Sequence, residues 1–501
     1  MTSDSSKGPL DLDREKQPDP EWKVPDPADS DNESTSWLGK KMLRLGVESR
    51  GIAPVPLEER VGHPYSKIFF VWFSMNFNIL SFSAGTLGPV IYGLGLRDSC
   101  LTILFFNFLC CFPPAYFGTW GPKLGMRQMI ISRYSFGYYG VIIPCILNLI
   151  GMIGFSILNC ILGGQTLASV SSHNISWTVG IVVIAIISLL VSFSGYKVLA
   201  WYERLAWVPV LITFIVILAV GGKHLGSPAP ATPATAATIL SFASTLAGFA
   251  ITYSPLSSDF TSYFRPNVSS WKMFFSAYLG FLLPIVTIQC LGAAVVVATA
   301  FVPEWETGYT GGNVGGLLEA LLHPVGNFGK FLTVLLSLSV AANIAATFYS
   351  ISINLQVFLP VLGFLPRYFF SLVATAIVVP VAIVGAHRFY DALVNFLGLI
   401  GYWASAYVAI VVIEHLYFRK NDPSSYDKAA WNVPKRLPSG AAALAAGVAS
   451  FGLAIPCMDQ VWFVGPIAKT TGDIGFELAF AVSAILYVPF RWLEIRLRES
   501  L

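Results

Sequence analysis

Twelve apolar stretches, each long enough to cross a bilayer and almost free of charge, dominate this 501-residue sequence. They lie near 68–92, 99–120, 138–168, 177–194, 205–221, 239–261, 273–300, 329–359, 367–386, 390–417, 440–457 and 475–493. Only 12% of the residues are charged, against roughly 25% in an ordinary soluble domain, and the mean hydropathy is +0.65. Lipid is the solvent that tolerates such a chain. Inside it every backbone N–H and C=O must be paired within its own segment, so the stretches are predicted to be helices. The expectation is an all-α membrane protein of about twelve transmembrane helices.

The polar residues organise the rest. Residues 1–36 are acidic and Pro-rich and read as a disordered cytosolic tail. A basic pre-span segment occupies 37–67. No cleavable signal peptide opens the chain, so the first span is expected to serve as an uncleaved anchor. Two sets of five spans cover 68–221 and 239–417, a cytosolic loop covers 418–439, and two further spans with a short tail fill 440–501. With both termini cytosolic, about 22 of the span-flanking Lys and Arg fall inside and about five outside, the asymmetry that orients membrane proteins. The outer five are Arg97, Lys223, Lys330, Arg388 and Lys469. This orientation leaves Asn174 as the one sequon available for glycosylation, because those at Asn32 and Asn267 face the cytosol.

Enzyme chemistry finds no support. The sequence has no GxxxxGK[ST], no HExxH and no nucleophile elbow. The seven cysteines lack CxxC spacing and sit mostly in apolar stretches, as small buried hydrophobes do. Neither a metal nor a cofactor is called for. A net charge of +3 without a basic, aromatic-rich run argues against nucleic acid as a partner. The partners left are the bilayer and a small molecule.

Two spans carry the functional signal. The first contains Ser81-Phe82-Ser83-Ala84-Gly85-Thr86-Leu87-Gly88-Pro89, and the sixth contains Gly248 to Asp259 with Pro255 at depth. Glycines, hydroxyls and proline weaken a helix in mid-membrane. Interrupted helices at matching positions of two five-span halves point to a transporter site built on an inverted repeat. The interruptions are expected at those two runs.

At this point a resemblance becomes specific. Gly195-Tyr-Lys-Val-Leu-Ala-Trp-Tyr-Glu-Arg-Leu-Ala-Trp-Val-Pro209 resembles the fourth-to-fifth-span signature of the fungal purine–cytosine permeases, within the nucleobase–cation symporter-1 family. Asn78 to Pro89 resembles their first span, Asn159 to Gln165 their third, and Ser258 to Tyr263 the end of their sixth. The likeness runs from about residue 37 to the end. It implies a LeuT-like five-plus-five inverted repeat with discontinuous first and sixth helices, two extra helices, and cation-coupled uptake across the plasma membrane.

The resemblance also implies a site. Ser81 matches a substrate-proximal hydroxyl, and Asn159 matches the third-span amide that bonds the base, a role suited to a group that both donates and accepts. Phe155, four residues earlier on the same helical face, and Tyr253 stand where the family usually has stacking tryptophans. In the eighth span the family's Ala-Asn-Asn-Ile-Pro-Asn run is here Ala341-Ala342-Asn343-Ile344-Ala345-Ala346, which keeps Asn343 and places Ala346 in the shell. The scaffold motifs stand while the pocket is altered. The expected substrate is a small nitrogen heterocycle, a nucleobase such as cytosine or adenine, with vitamin B6 as the alternative. A channel or non-transporting sensor is the reading from another class.

Sodium-coupled relatives use hydroxyls on the eighth span near Ser337 and Ala341, and Val340 and Ala341 offer none, so protons are the expected coupling ion. Glu203 and Asp259 are the proton-coupling candidates. Glu414 and His415, at an inner helix end, are expected to snorkel to water.

Overall fold

The computed structural model describes residues 51–171, 174–193, 195–226, 233–360, 365 and 367–498, with the main chain alone at 195–203 and 367. The predicted tail at 1–36 and residues 37–50 of the basic segment lie outside the described residues.

All twelve apolar stretches are helical. The first span is two helices, Ser66–Asn76 and Ile79–Val90, bent by 56°. Leu96–Leu124, Ile142–Ser169 and Trp177–Phe193 follow, then Gly195–Gly221. The second half consists of Ala236–Phe260, Ser270–Phe301 and Asn327–Phe358, then Arg367–Gly385 and Phe389–Ile413. The last pair is Ala441–Cys457 and Gly475–Arg498. The ninth and tenth spans form one apolar run of 51 residues. A single helix of that length would be about 77 Å long, more than twice the hydrocarbon core. The chain turns instead at Ala386–Arg388, where Arg388 leaves helical geometry (φ −128°, ψ 41°).

Packing shows how the halves relate. The first span packs on the seventh, and its counterpart, the sixth, packs on the second. The third packs on the fourth as the eighth does on the ninth, and the first on the fifth as the sixth does on the tenth. Third on ninth is matched by eighth on fourth, while third on eighth and fourth on ninth map onto themselves. The pattern survives exchange of spans one to five for six to ten. This exchange symmetry is what two five-helix sets related as an inverted repeat produce.

Small residues allow these approaches. A Cβ at Gly85 would lie 1.9 Å from the Gln289 carbonyl oxygen, one at Gly292 2.0 Å from that of Phe82, and one at Gly248 1.9 Å from that of Leu397. Close backbone contact of this kind replaces the hydrophobic drive that lipid cannot supply. It also corrects the expected position of the first interruption. Gly85 and Pro89 lie inside the unbroken helix Ile79–Val90, and the break falls earlier, at Phe77–Asn78.

The last two spans are tied to the bundle at both ends. At the end carrying Ser66 and Arg498, Glu414 is buried and bonded to Arg419 (3.1 Å), Arg491 (3.1 Å) and the Tyr487 hydroxyl (2.8 Å). Arg491 also pairs with Glu494 at 2.9 Å. His415 is 3% exposed, its ring nitrogens facing Tyr426 and Asn421. Neither residue snorkels; both are satisfied inside protein. At the far end Asp473 joins the loop between these spans to the sixth and tenth. It accepts from Ser244 Oγ (3.1 Å), the Asp459 amide (3.0 Å) and the Tyr402 hydroxyl, and burial pushes its carboxyl above the usual range.

Candidate functional site

The two interruptions leave backbone groups that lipid could not satisfy, and local side chains take them up. Asn78 is extended (φ −149°, ψ 176°), and its Oδ1 accepts from the Leu80 and Ser81 amides at 2.9 and 3.1 Å. Its Nδ2 donates back to the Met75 carbonyl at 2.7 Å. The amide of Ile79 donates to Ser339 Oγ (3.3 Å), which ties the break to an irregular turn in the eighth span. In the sixth span the α-helix stops at Ile251 and tighter 3-10 winding runs from Ser254 to Phe260, with Pro255 in its first turn. There proline loses nothing, since its missing N–H would have been an orphan.

Beside these breaks lies a narrow, tightly closed cavity of about 20 Å³, room for roughly one water molecule. Phe155 and Tyr253 face each other across it with ring planes 21° apart and centroids 6.3 Å apart. Two van der Waals gaps of about 3.5 Å would seat a flat ring between them, so the pair stands within about 1 Å of a sandwich. At the edge of the aromatic pair is Asn343. Its Nδ2 donates to the Met75 carbonyl (2.9 Å) and the Tyr253 hydroxyl (3.1 Å), and its Oδ1 accepts from Asn159 Nδ2 (3.0 Å).

Of the expected residues, Phe155, Tyr253, Asn343 and Ala346 line the cavity together. Asn159 stands one layer back, fully buried, holding Asn343 while its own Oδ1 has no partner. Ser81 is also away from the cavity: its hydroxyl donates to the Asn76 carbonyl at 2.5 Å, across the break. Asp259 is 1% exposed, with Oδ1 accepting from the Gln128 amide (2.9 Å) and its carbonyl accepting from Arg127 (2.7 Å). The side chain of Glu203 lies outside the described residues. Asn174 is exposed on its loop. Among the described residues no cluster of His, Cys, Asp or Glu could hold a metal.

Several lining residues escaped the sequence reading, among them Asn148, Thr347, Ser350 and Trp403. A signal existed. Asn343, Thr347, Ser350 and Asn354 follow i, i+4, i+7, i+11 on the eighth span, and Asn148, Met152, Phe155 and Asn159 repeat that spacing on the third. These faces pair antiparallel, with Asn159 bonded to Asn343 and Asn148 Nδ2 donating to Asn354 Oδ1 at 3.0 Å. The cavity lies between the two amide ties, which stand about 16 Å apart along the helices. Towards the far end, Thr86 Oγ1 meets the Tyr390 hydroxyl at 2.9 Å, and Tyr390 in turn meets Tyr309, closing the first span against the tenth.

Paired discontinuous helices related by exchange of two five-helix sets, with a narrow aromatic-walled cavity between them, define a secondary transporter of LeuT-like architecture. The chain belongs to the family of permeases for cytosine/purines, uracil, thiamine and allantoin, whose model matches residues 54–478. It is 37% identical to a purine–cytosine permease of Emericella nidulans over 459 residues, 90% of each chain. A purine–cytosine permease of Saccharomyces cerevisiae is 35% identical over 92% of this chain and 89% of its own. The vitamin B6 transporter of the same yeast is 28% identical, covering 92% and 90%. Among solved structures, Mhp1, a nucleobase–cation-symport-1 transporter in a closed conformation with bromovinylhydantoin bound, superposes with a TM-score of 0.70. It is 16% identical, covering 89% of this chain and 95% of its own. The inward-facing form of Mhp1 gives a TM-score of 0.66.

Proposed function

We propose that this permease carries a nucleobase, cytosine or adenine being the type, into the cell across the plasma membrane, with both termini cytosolic and protons as the coupling ion. The observation that carries the reading is the Phe155–Tyr253 pair, nearly parallel at 6.3 Å with the Asn343 amide at its edge. Stacking on two aromatic faces is tolerant of ring identity and gains about 1–3 kcal/mol per base on comparable platforms. Asn343 Nδ2 is spent on Met75 and Tyr253, while its Oδ1, which accepts once from Asn159, keeps a second lone pair for a donor on the ring edge. Purine–cytosine permeases among the relatives are 34–37% identical, against 28% for the vitamin B6 transporter.

Vitamin B6 remains the second reading, favoured by the alanines at 342, 345 and 346, which make the eighth-span wall less polar than the family run. Radiolabelled cytosine and adenine uptake in cells lacking their own carriers, competed by pyridoxine, separates the two. Saturable cytosine uptake that pyridoxine fails to displace supports the nucleobase. Pyridoxine uptake with no nucleobase uptake reverses the assignment, and ligand binding without any uptake returns the sensor.

The proton reading is supported by the eighth span, where Val340 and Ala341 offer no side-chain oxygen to a sodium ion. Asp259 suits a coupling role through its position where the sixth span meets the loop before the third. Its Oδ1 accepts from the Gln128 amide, so a change in its charge would be felt both by the sixth span and by the segment before the third.

A further inference from the structure

Two polar groups in the cavity wall have no partner within the protein: the hydroxyl of Ser350, which is fully buried, and the indole N–H of Trp403, a residue 7% exposed. Buried polar groups are ordinarily satisfied, so each calls for an explanation. The neighbouring hydroxyls show the contrast. Thr347 Oγ1 donates to the Asn343 carbonyl (2.7 Å) and Thr252 Oγ1 to the Gly248 carbonyl (2.8 Å), each spent on its own helix. Ser350 is on the same face and could turn back in the same way, yet it does not.

Position explains what the two groups are for. The ties Asn159–Asn343 and Asn148–Asn354 set the register of the third span against the eighth. In that register Thr347 is level with Phe155, and Ser350 lies about 4.5 Å further along the axis. That offset is within reach of the edge of a ring stacked on Phe155. Resting on the nucleobase reading above, we infer that Ser350 Oγ–H and Trp403 Nε1–H bond the edge of the transported ring opposite Asn343. Trp403 Nε1–H can only donate, so the edge they read carries at least one acceptor, a carbonyl oxygen or a pyridine-type ring nitrogen, which the Ser350 hydroxyl can also serve. Asn343 and this pair then read the ring from two sides, while Phe155 and Tyr253 hold its faces.

The test uses two variants that remove the groups and little else. Ser350→Ala deletes an oxygen that makes no bond in the protein, and Trp403→Phe keeps an aromatic ring beside Tyr407, which it meets edge-on at 6.1 Å. A purely structural role predicts unchanged surface expression, melting and uptake for Ser350→Ala. We expect unchanged expression and melting, but an apparent affinity for cytosine about tenfold weaker in each variant. Competition by 3-deazacytosine, in which CH replaces the ring nitrogen, gives the second readout: wild type should favour cytosine over it about tenfold, and the variants should lose most of that preference. Wild-type affinity and preference in both variants overturn the inference and leave the nucleobase reading intact. A wild-type protein that carries no such ring overturns both.

Discussion

Asn343 touches the three other elements that matter at the cavity: the Met75 carbonyl where the first span breaks, Tyr253 where the sixth changes winding, and Asn159 on the third. Replacing it by alanine strands the Asn159 amide and removes the tie between breaks. Uptake is expected to fall more than tenfold, with about 1–3 kcal/mol of stability lost from the orphaned partners. Transport counts normalised to surface protein, with a melting curve in detergent, check both. Asn159→Ala should also abolish uptake, acting through Asn343; retention of wild-type affinity would remove it from the site. The two cases show what sequence can and cannot convey at this scale. The residue types suited to a flat polar ligand were legible as Phe155, Asn159, Tyr253 and Asn343. Whether an amide faces the ligand or stands behind one that does depends on helix rotation, which no single sequence records. Ser81 makes the same point, since its hydroxyl serves the Asn76 carbonyl.

At the scale of elements, the breaks were legible as a pair but misplaced in the first span. The run from Ser81 to Pro89 looked weak because it is rich in small and polar residues. Those residues are there for the seventh span, which presses its backbone against Gly85. The true start signal was Asn78, a favourable N-cap residue directly before an apolar run. Close contact makes a firm prediction. Gly85→Leu puts a side chain where the Gln289 carbonyl already lies, and overpacking of this kind costs at least about 1–3 kcal/mol. Loss of surface protein, rather than a change in substrate affinity, is the expected outcome. Normal trafficking with altered affinity would show that the contact belongs to the site. The matching i, i+4, i+7, i+11 faces of the third and eighth spans could have been read from sequence by comparing the two halves, and they locate the cavity better than the glycines do.

For the whole molecule, the all-helical membrane architecture and the transporter class were readable, because hydropathy reports directly on the solvent each segment meets. Coupling was not readable, since it depends on which buried carboxyl exchanges its proton between states. If protons drive transport, uptake in cells or vesicles should follow an imposed pH gradient and ignore a sodium gradient. Dependence on sodium alone would end that reading. Asp259→Asn is then expected to leave binding in place and uncouple accumulation from the gradient, measured as a loss of concentrative uptake with exchange retained.

The ion cluster around Glu414 carries a consequence for the chain's far end. Ten helices suffice to build the repeat, yet the tenth has placed a carboxylate where only Arg419 from its own neighbourhood and Arg491 and Tyr487 from the twelfth surround it. Removing one partner of such a group typically costs about 3–5 kcal/mol, most of it the isolation of the charge left behind. A chain cut before residue 440 would therefore be not a smaller transporter but one whose buried Glu414 keeps Arg419 and loses Arg491 and Tyr487. Restoring surface delivery to that truncated chain by Glu414→Leu, and not by Glu414→Asp, would show that the terminal pair is retained because the core has come to depend on it.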